Sequence, residues 1–367
     1  MSVRRLAVVN TGSATLKLAQ FEAGPDGLRE RSSEKHEWES RDEMDASIEQ
    51  ALRAIGEAPD ILGHRVVHGG SQFIDPVLID GKVEAALEEL VSLAPLHNGP
   101  ALTGIRVARR VFPDTPGIAV FDTAFHARRP QESMRYALPR EWQEEFGFLR
   151  YGFHGIAHAS LAQSYAKTIS QPLGGISAVT LQLGAGCSAC AVRNGRSIET
   201  SMGYTPLEGL VMATRSGDID PAIVLELARA GHTPEEIDEQ LNRRSGLLGL
   251  AGSSDMREVL AAEARGDEGA RLALRLFVYR LVLTIGAYLT LLGGDGAIVF
   301  GGGIGEHAAE IRARVAKGLT AWNVELDPAL NRDNGPGRIS AEQTRPVYVF
   351  ETREEEMIAR ELLDFAL

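Results

Sequence analysis

The sequence predicts an α/β protein, and three observations carry that class. Short apolar runs bounded by Gly, Asn and Asp alternate with stretches whose apolar residues recur at helical spacing. A strand, glycine turn and second strand occupy residues 5–22, and the same pattern returns at 174–200. The chain has 367 residues, more than one hydrophobic core usually supports, so two domains are expected.

The elements follow in order. In "RLAVVNTGSATLKLAQFE", Leu6 to Val9 reads as a buried strand, and Leu16 to Phe21 alternates as its partner. Their connection holds more hydrogen-bonding groups than a turn needs. The charged stretch "GPDGLRERSSEKHEWESRDE" reads as solvated surface. Met44, Ile48, Leu52 and Ile55 mark a helix. "ILGHRVVHGG" is a strand ending in a glycine turn, "VEAALEELVSLA" and "GPALTGIRVARRVF" are helices, and "GIAVFDTAFH" is a buried strand with a polar end. In "GGISAVTLQLGAGCSACAVRNGRSIET", Asn194-Gly195 marks a further hairpin. The repeat suggests a duplicated domain with paired loops facing one cleft; two unrelated hairpins fit the same pattern. Helices are read in "PAIVLELARAG", "TPEEIDEQLNRR", "MREVLAAEARG" and "ARLALRLFVYRLVLTIGAYLTLL". The last is apolar nearly all round, as a buried or intersubunit helix is. "GAIVFGGGIGEHAAEIRARV" and "VYVFETREEEMIARELLDF" each join a strand to a helix.

A net charge of −12 argues against nucleic-acid and anionic-membrane partners. It also requires any anionic substrate to meet a local cluster of cations. No apolar run is expected to reach the roughly 20 residues of a membrane helix, and the N-terminus lacks a signal-peptide core. Two cysteines fit a reducing, cytoplasmic setting. Cys187 and Cys190 have C-x-x-C spacing, but in a strand such a pair points to opposite faces, so packed thiols are expected over a redox pair.

Gly301-Gly302-Gly303-Ile304-Gly305 between strand and helix suits an anion facing backbone N–H groups, or a tight turn with no ligand. Six of the nine histidines (His64, His68, His97, His126, His154, His158) fall in one window, most of them expected to be structural. His154 and His97 flank turns, where polar side chains more often do chemistry. His154 and His158 have a zinc-like spacing but lack the glutamate of H-E-x-x-H. The cations are sharper. Lys17, Arg65, Arg215 and Arg257 sit at strand ends or in loops, as do the carboxylates Asp122, Asp218, Asp220 and Glu354. Guanidinium groups that neutralise phosphoryl oxygens, with acidic side chains for Mg2+, are what phosphoryl transfer needs.

The runs "NTGSATLK", "GHRVVHGG", "LAPLHN", "AVFDTAFH", "RYGFHG", "TSMGYTPLEGLVMATRSGDIDP", "SGLLGLAGSSDMR", "FGGGIGE" and "EEEMIAR" resemble the acetate kinase family in order and from end to end. The resemblance implies a duplicated actin-like (ribonuclease H-like) ATPase fold, two lobes around a central cleft, and a homodimer. Residues 1–126 and 356–367 would form the N-terminal lobe and 127–355 the nucleotide-binding lobe. It implies phosphoryl transfer between ATP or ADP and acetate or acetyl phosphate with Mg2+, or Mn2+ in its place. Arg65, Asp122, His154 and Arg215 would be catalytic. Arg65, Val67, Leu96, Phe153 and Pro206 would bind the acyl group. Asn10, Ser13, Thr15, Lys17, Gly184, Gly186, Asp255, Arg257, Gly303, Ile304 and Gly305 would face the nucleotide, with Asn10 and Glu354 at the metal.

Acetate, with a pKa of about 4 to 5, is already ionised at pH 7 and needs no general base. Asp122 is therefore expected to act through metal and positioning. The chain departs from the pattern at Gln182 and Ala185 ("QLGAG" for "HLGNG"), in "FHGIAH", and at His307 and Arg353, each where asparagine is usual. It is also shorter than most members by one or two helices. A propionate- or butyrate-type or pyrophosphate-linked carboxylate kinase is the nearest alternative. A non-catalytic nucleotide-binding sensor is the alternative of another class, and acceptor-side groups such as Arg65 and Arg215 argue against it.

Overall fold

The structure, a computed structural model, describes residues 3–12, 14–93, 98–333 and 335–365. The chain divides into two compact units. Unit 1 is Met1–Ala127, His154–Ala157 and Arg353–Leu367, and unit 2 is Arg128–Phe153 and His158–Thr352.

Unit 1 is built on a six-stranded sheet of β1 (Arg4–Thr11), β2 (Thr15–Gly24), β3 (Gly27–Glu37), β4 (Ile61–Val66), β5 (Val77–Leu78) and β6 (Gly117–Phe121), in the order β3-β2-β1-β4-β6-β5. Alternation along β1 sends its side chains to two cores. Ala7 and Val9 pack with Met44, Ile48 and Leu52 of helix Arg41–Ala54 and with Val107 and Ala108 of helix Asn98–Val111. Leu6 and Val8 pack on the opposite face with Ile358 and Leu362 of helix Glu354–Phe365. The charged stretch expected to be plain surface is β3, an exposed edge strand paired to β2 from Thr15–Glu37 to Gly24–Gly27. Charged side chains on an edge strand block further pairing.

Unit 2 holds β7 (Ser177–Leu183), β8 (Cys187–Arg193), β9 (Arg196–Thr200), β10 (Ala297–Gly301), β11 (Gly337–Arg338) and β12 (Val347–Val349), ordered β11-β12-β10-β7-β8-β9. Each sheet reads as an antiparallel three-strand meander, two parallel strands, then a two-residue antiparallel edge strand. The two sheets match strand for strand, which favours duplication over coincidence. Asn194 and Gly195 both take positive φ, as a tight hairpin between β8 and β9 requires.

Helix Glu268–Leu291 buries Leu274, Phe277, Leu281 and Ile285 and exposes Leu272, Tyr279, Leu283 and Leu291. By length and composition alone it could cross a membrane, contrary to the expectation from the sequence. Its buried face packs on β8 and on helices Gly246–Ala251, Met256–Ala264 and Ala309–Gly318, and its other face is exposed.

Candidate active site

Strands β1, β4 and β6 run parallel as neighbours, so Asn10, Arg65 and Asp122 arrive side by side at their carboxyl ends. Ligands of α/β sheets gather at such ends. Arg65 forms a bidentate pair with Asp122, Nε to Oδ1 at 3.0 Å and Nη2 to Oδ2 at 2.6 Å. Its Nη1 donates to Asn10 Oδ1 at 3.2 Å and lies 3.6 Å from Glu354 Oε2. Asn10 Nδ2 donates to Glu355 Oε1 at 2.8 Å, and Lys17 Nζ stands 3.8 Å from the same oxygen.

Three carboxylates thus surround two cations. Burial works against the Arg65 charge, but Asp122 and Glu354 outweigh it and hold the guanidinium firmly protonated. Burial pushes the Glu354 carboxyl up, with Arg65 opposing and Asp122 and Glu355 reinforcing.

The β1–β2 connection closes tightly, with Gly12 N–H donating to Thr15 O at 2.7 Å. Thr15 is half-buried and Lys17 exposed. Ser13, Leu96 and His97 lie outside the described residues. His154 adopts φ +58°, a left-handed conformation uncommon outside glycine. The next residue fixes it there. Gly155 N–H donates to Asp122 O at 2.8 Å, and a Cβ at 155 would stand 2.1 Å from that oxygen. Val67 is half-buried in unit 1.

In unit 2, Arg215 is half-buried. Its Nη1 donates to Pro206 O at 3.5 Å and lies 3.8 Å from Met212 Sδ. Among the described residues no carboxylate pairs with it, and burial lowers its pKa. Phe153 is buried and Pro206 half-buried. The Gly184–Gly186 loop joins β7 to β8, with Gly184 N–H donating to Gly186 O and Ala185 exposed.

Asp255 caps helix Met256–Ala264 and pairs with the exposed Arg257, which holds its carboxyl down at about 2. Gly303 is exposed with open space where a Cβ would lie, Ile304 is half-buried and Gly305 buried. Asp218 and Asp220 have structural work instead: Asp218 accepts from Gly209 N–H, and Asp220 caps helix Pro221–Arg229.

The remaining sequence motifs resolve simply. Cys187 and Cys190 are buried, unlinked thiols, both pushed up to about 12 by burial. His158 is buried with its two ring nitrogens on Thr180 and Ser188 hydroxyls, 2.8 and 2.9 Å away, so neither is left for zinc. Sequence reasoning missed a half-buried cluster in unit 2, where Arg150 meets Glu208 and Arg129 meets Glu199. Tyr136 bonds both Glu208 and Tyr204 N–H, bracing the loop that carries Pro206. It also missed Glu355, although that residue adjoins Glu354.

A model of the Acetokinase family matches residues 31–360. The acetate kinase of Pseudarthrobacter chlorophenolicus is 44% identical over 96% of both chains, and that of Leifsonia xyli subsp. xyli is 45% identical over 97% of both. Among solved structures, a propionate kinase from Francisella tularensis aligns at TM-score 0.88 with 36% identity, covering 98% of each chain. Porphyromonas gingivalis acetate kinase aligns at 0.87 with 31% identity, over 99% of this chain and 100% of the other.

Proposed function

Since the chain belongs to the acetokinase family, we propose that it transfers the terminal phosphoryl group of ATP reversibly to acetate. A carboxylate oxygen bonds to the γ-phosphorus as the bond to the bridging β,γ-oxygen breaks, giving acetyl phosphate and ADP. The observation that carries this reading is Arg215. A half-buried guanidinium with no carboxylate partner among the described residues is unfavourable until an anion arrives.

Arg65, held in one orientation by Asp122, presents the second guanidinium, and His154 donates to the phosphoryl oxygens. The family resemblance assigns Val67, Leu96, Phe153 and Pro206 to the acyl methyl group. The same resemblance assigns Asn10, Ser13, Thr15, Lys17, Gly184 and Gly186 to the phosphates and Asp255, Arg257, Gly303, Ile304 and Gly305 to the adenosine.

Mg2+ typically binds one or two carboxylates together with substrate phosphates. The excess of carboxylates around Arg65 and Lys17, with Glu354 buried among them, fits such an ion. Glu354 is the donor we assign to it. Asn10 Oδ1, which accepts one hydrogen bond from Arg65, keeps a second lone pair for such an ion. Bound Mg2+, or Mn2+ in its place, neutralises charge on the β- and γ-oxygens. The exposed apolar face at Leu272, Tyr279 and Leu283 supports a homodimer, and two unlinked thiols support a cytoplasmic setting.

The test is one assay: ATP, Mg2+ and C2 to C4 acids, with hydroxylamine trapping the acyl phosphate as hydroxamate. Acetate should give the fastest rate, with propionate second, and Arg215→Ala should lower kcat about a thousandfold. No hydroxamate from any acid, with ATP or pyrophosphate, would overturn the assignment.

A further inference from the structure

The glycine turn after β10 is held at both ends by side chains that no phosphate or nucleoside contact requires. Gly302 has φ +75°, and a Cβ there would lie 2.7 Å from Leu183 O, so only glycine fits. Its N–H does not point to open solvent. It donates to Glu306 Oε1 at 2.9 Å and to Thr352 Oγ1 at 3.1 Å. The same Glu306 oxygen accepts Thr352 N–H at 3.1 Å. The Thr352 hydroxyl in turn donates to Gln182 Oε1 at 2.8 Å.

Gln182 lies near the end of β7, Gly301 ends β10, and Thr352 lies just beyond β12. One network therefore ties the carboxyl ends of three adjacent parallel strands. The far end is clamped as well. Arg312, fully buried, donates from Nη1 to the carbonyls of Gly305 and Glu306, both at 2.8 Å. Asn331 accepts from its Nε at 2.8 Å and its Nη2 at 2.6 Å.

We infer that Gln182, Thr352 and Glu306 are positioning residues for the nucleotide: by fixing the turn from which Gly303 and Ile304 project, they set nucleotide affinity without touching the ligand. The inference rests on the reading that this turn faces adenosine. Glu306 and Thr352 have already taken the leading N–H, so the turn contributes shape rather than a donor to phosphate. Removing the Thr352 hydroxyl leaves Gly302 N–H on Glu306 alone and cuts the tie to Gln182, so the turn is held less firmly. Gln182 matters through Thr352. Its amide oxygen accepts the hydroxyl's hydrogen bond, which leaves the hydroxyl lone pairs for Gly302 N–H.

The experiment uses the full chain and four variants: Thr352→Val, Thr352→Ser, Gln182→Met and Ile304→Trp. Two quantities are read, the equilibrium Kd for ADP by calorimetry and the separate KM values for ATP and acetate. Thr352→Val should raise the ADP Kd and the ATP KM about five- to twentyfold, with kcat and the acetate KM within about twofold. Gln182→Met should move the same two quantities about three- to tenfold, and Thr352→Ser, which keeps the hydroxyl, should stay near the parent. Ile304→Trp, in the turn itself, should weaken ADP whether or not the latch matters. If Thr352→Val and Gln182→Met leave the ADP Kd unchanged while Ile304→Trp weakens it, the latch is wrong and the nucleotide reading stands. If Ile304→Trp is silent too, the reading of the turn falls with it. Equal losses in kcat and both KM values for Thr352→Val and Thr352→Ser would mark a merely structural role and overturn the inference.

Discussion

Glu354 shows how one side chain can serve the reaction at the expense of the fold. It opens helix Glu354–Phe365, it is buried, and its closest cation, Arg65, is already committed to Asp122. Burial raises its pKa despite that cation. The folded state therefore holds a proton more readily than the unfolded chain. Its contribution to stability is fully present below the ordinary carboxylate pKa and is lost as pH rises through the folded value. At pH 8 the ionised carboxylate is a burden on the fold. Glu354→Gln mimics the protonated form, so it should raise the unfolding midpoint at pH 8 while lowering kcat at least a hundredfold. The gain in midpoint should shrink as pH falls into the carboxylate range. Thermal melts at pH 8 and pH 5 check this, and a variant less stable than the parent at pH 8 would refute it. Arg65, Asp122 and Glu354 were legible in the sequence because charges at the ends of apolar strands lack an ordinary surface role. Glu355 was not, because nothing in "EEEMIAR" separates the residue that receives Asn10 from its neighbours.

Elements carry the chemistry by how closely they approach one another. The turn before helix Gly155–Thr168 is pressed onto the end of β6, where Gly155 meets Asp122 O and Phe125. Gly155→Ala would force a Cβ to within 2.1 Å of a backbone oxygen. The turn must then lift, carrying His154 with it. Such overpacking costs about 1–3 kcal/mol, and kcat should fall at least tenfold, since small misplacements of a catalytic group are costly. Denaturant melts and kcat together test this, and a variant unchanged in both would show that the turn has slack. At this scale the sequence was readable wherever the signal was local. Period-two alternation located β2, apolar runs beside glycine turns located β1, β7 and β8, and Asn194-Gly195 located β9, the hairpin partner of β8. The edge strand β3 was hidden because charged residues on both faces erase the alternation that a half-buried strand displays. The glycine turn was visible, but its mode of action was not. Thr352 lies 50 positions from Gly302, and Gln182 lies 170 from Thr352. Only the sheet order brings them together.

For the molecule as a whole, pH acts on stability through the difference in bound protons between folded and unfolded chains. Two buried histidines, His64 and His68, contribute in the mildly acidic range. Burial, and then Arg109, holds His64 down at about 3. Burial alone holds His68 down at about 4, and its Nδ1 accepts Gly70 N–H at 2.8 Å, which requires the unprotonated ring nitrogen. Both are neutral in the fold and take up protons once unfolded, at about pH 6.5. Their stabilisation is therefore complete above that pH and is lost progressively as pH falls toward 4. Each residue accounts for about 1.4 kcal/mol per pH unit in the limiting region. Glu354 acts in the opposite direction, so the share of one histidine is read as the difference between the parent and a variant that lacks it. His64 lines a cavity together with Leu62, Ile79 and Ile105, so His64→Leu is the apolar variant to compare. That variant should bind about one proton fewer on unfolding near pH 5. Its midpoint should fall less steeply than the parent's between pH 7 and pH 5, with the two curves drawing together on the acid side. Parallel curves over that range would show that His64 is not the group whose protonation opens the fold.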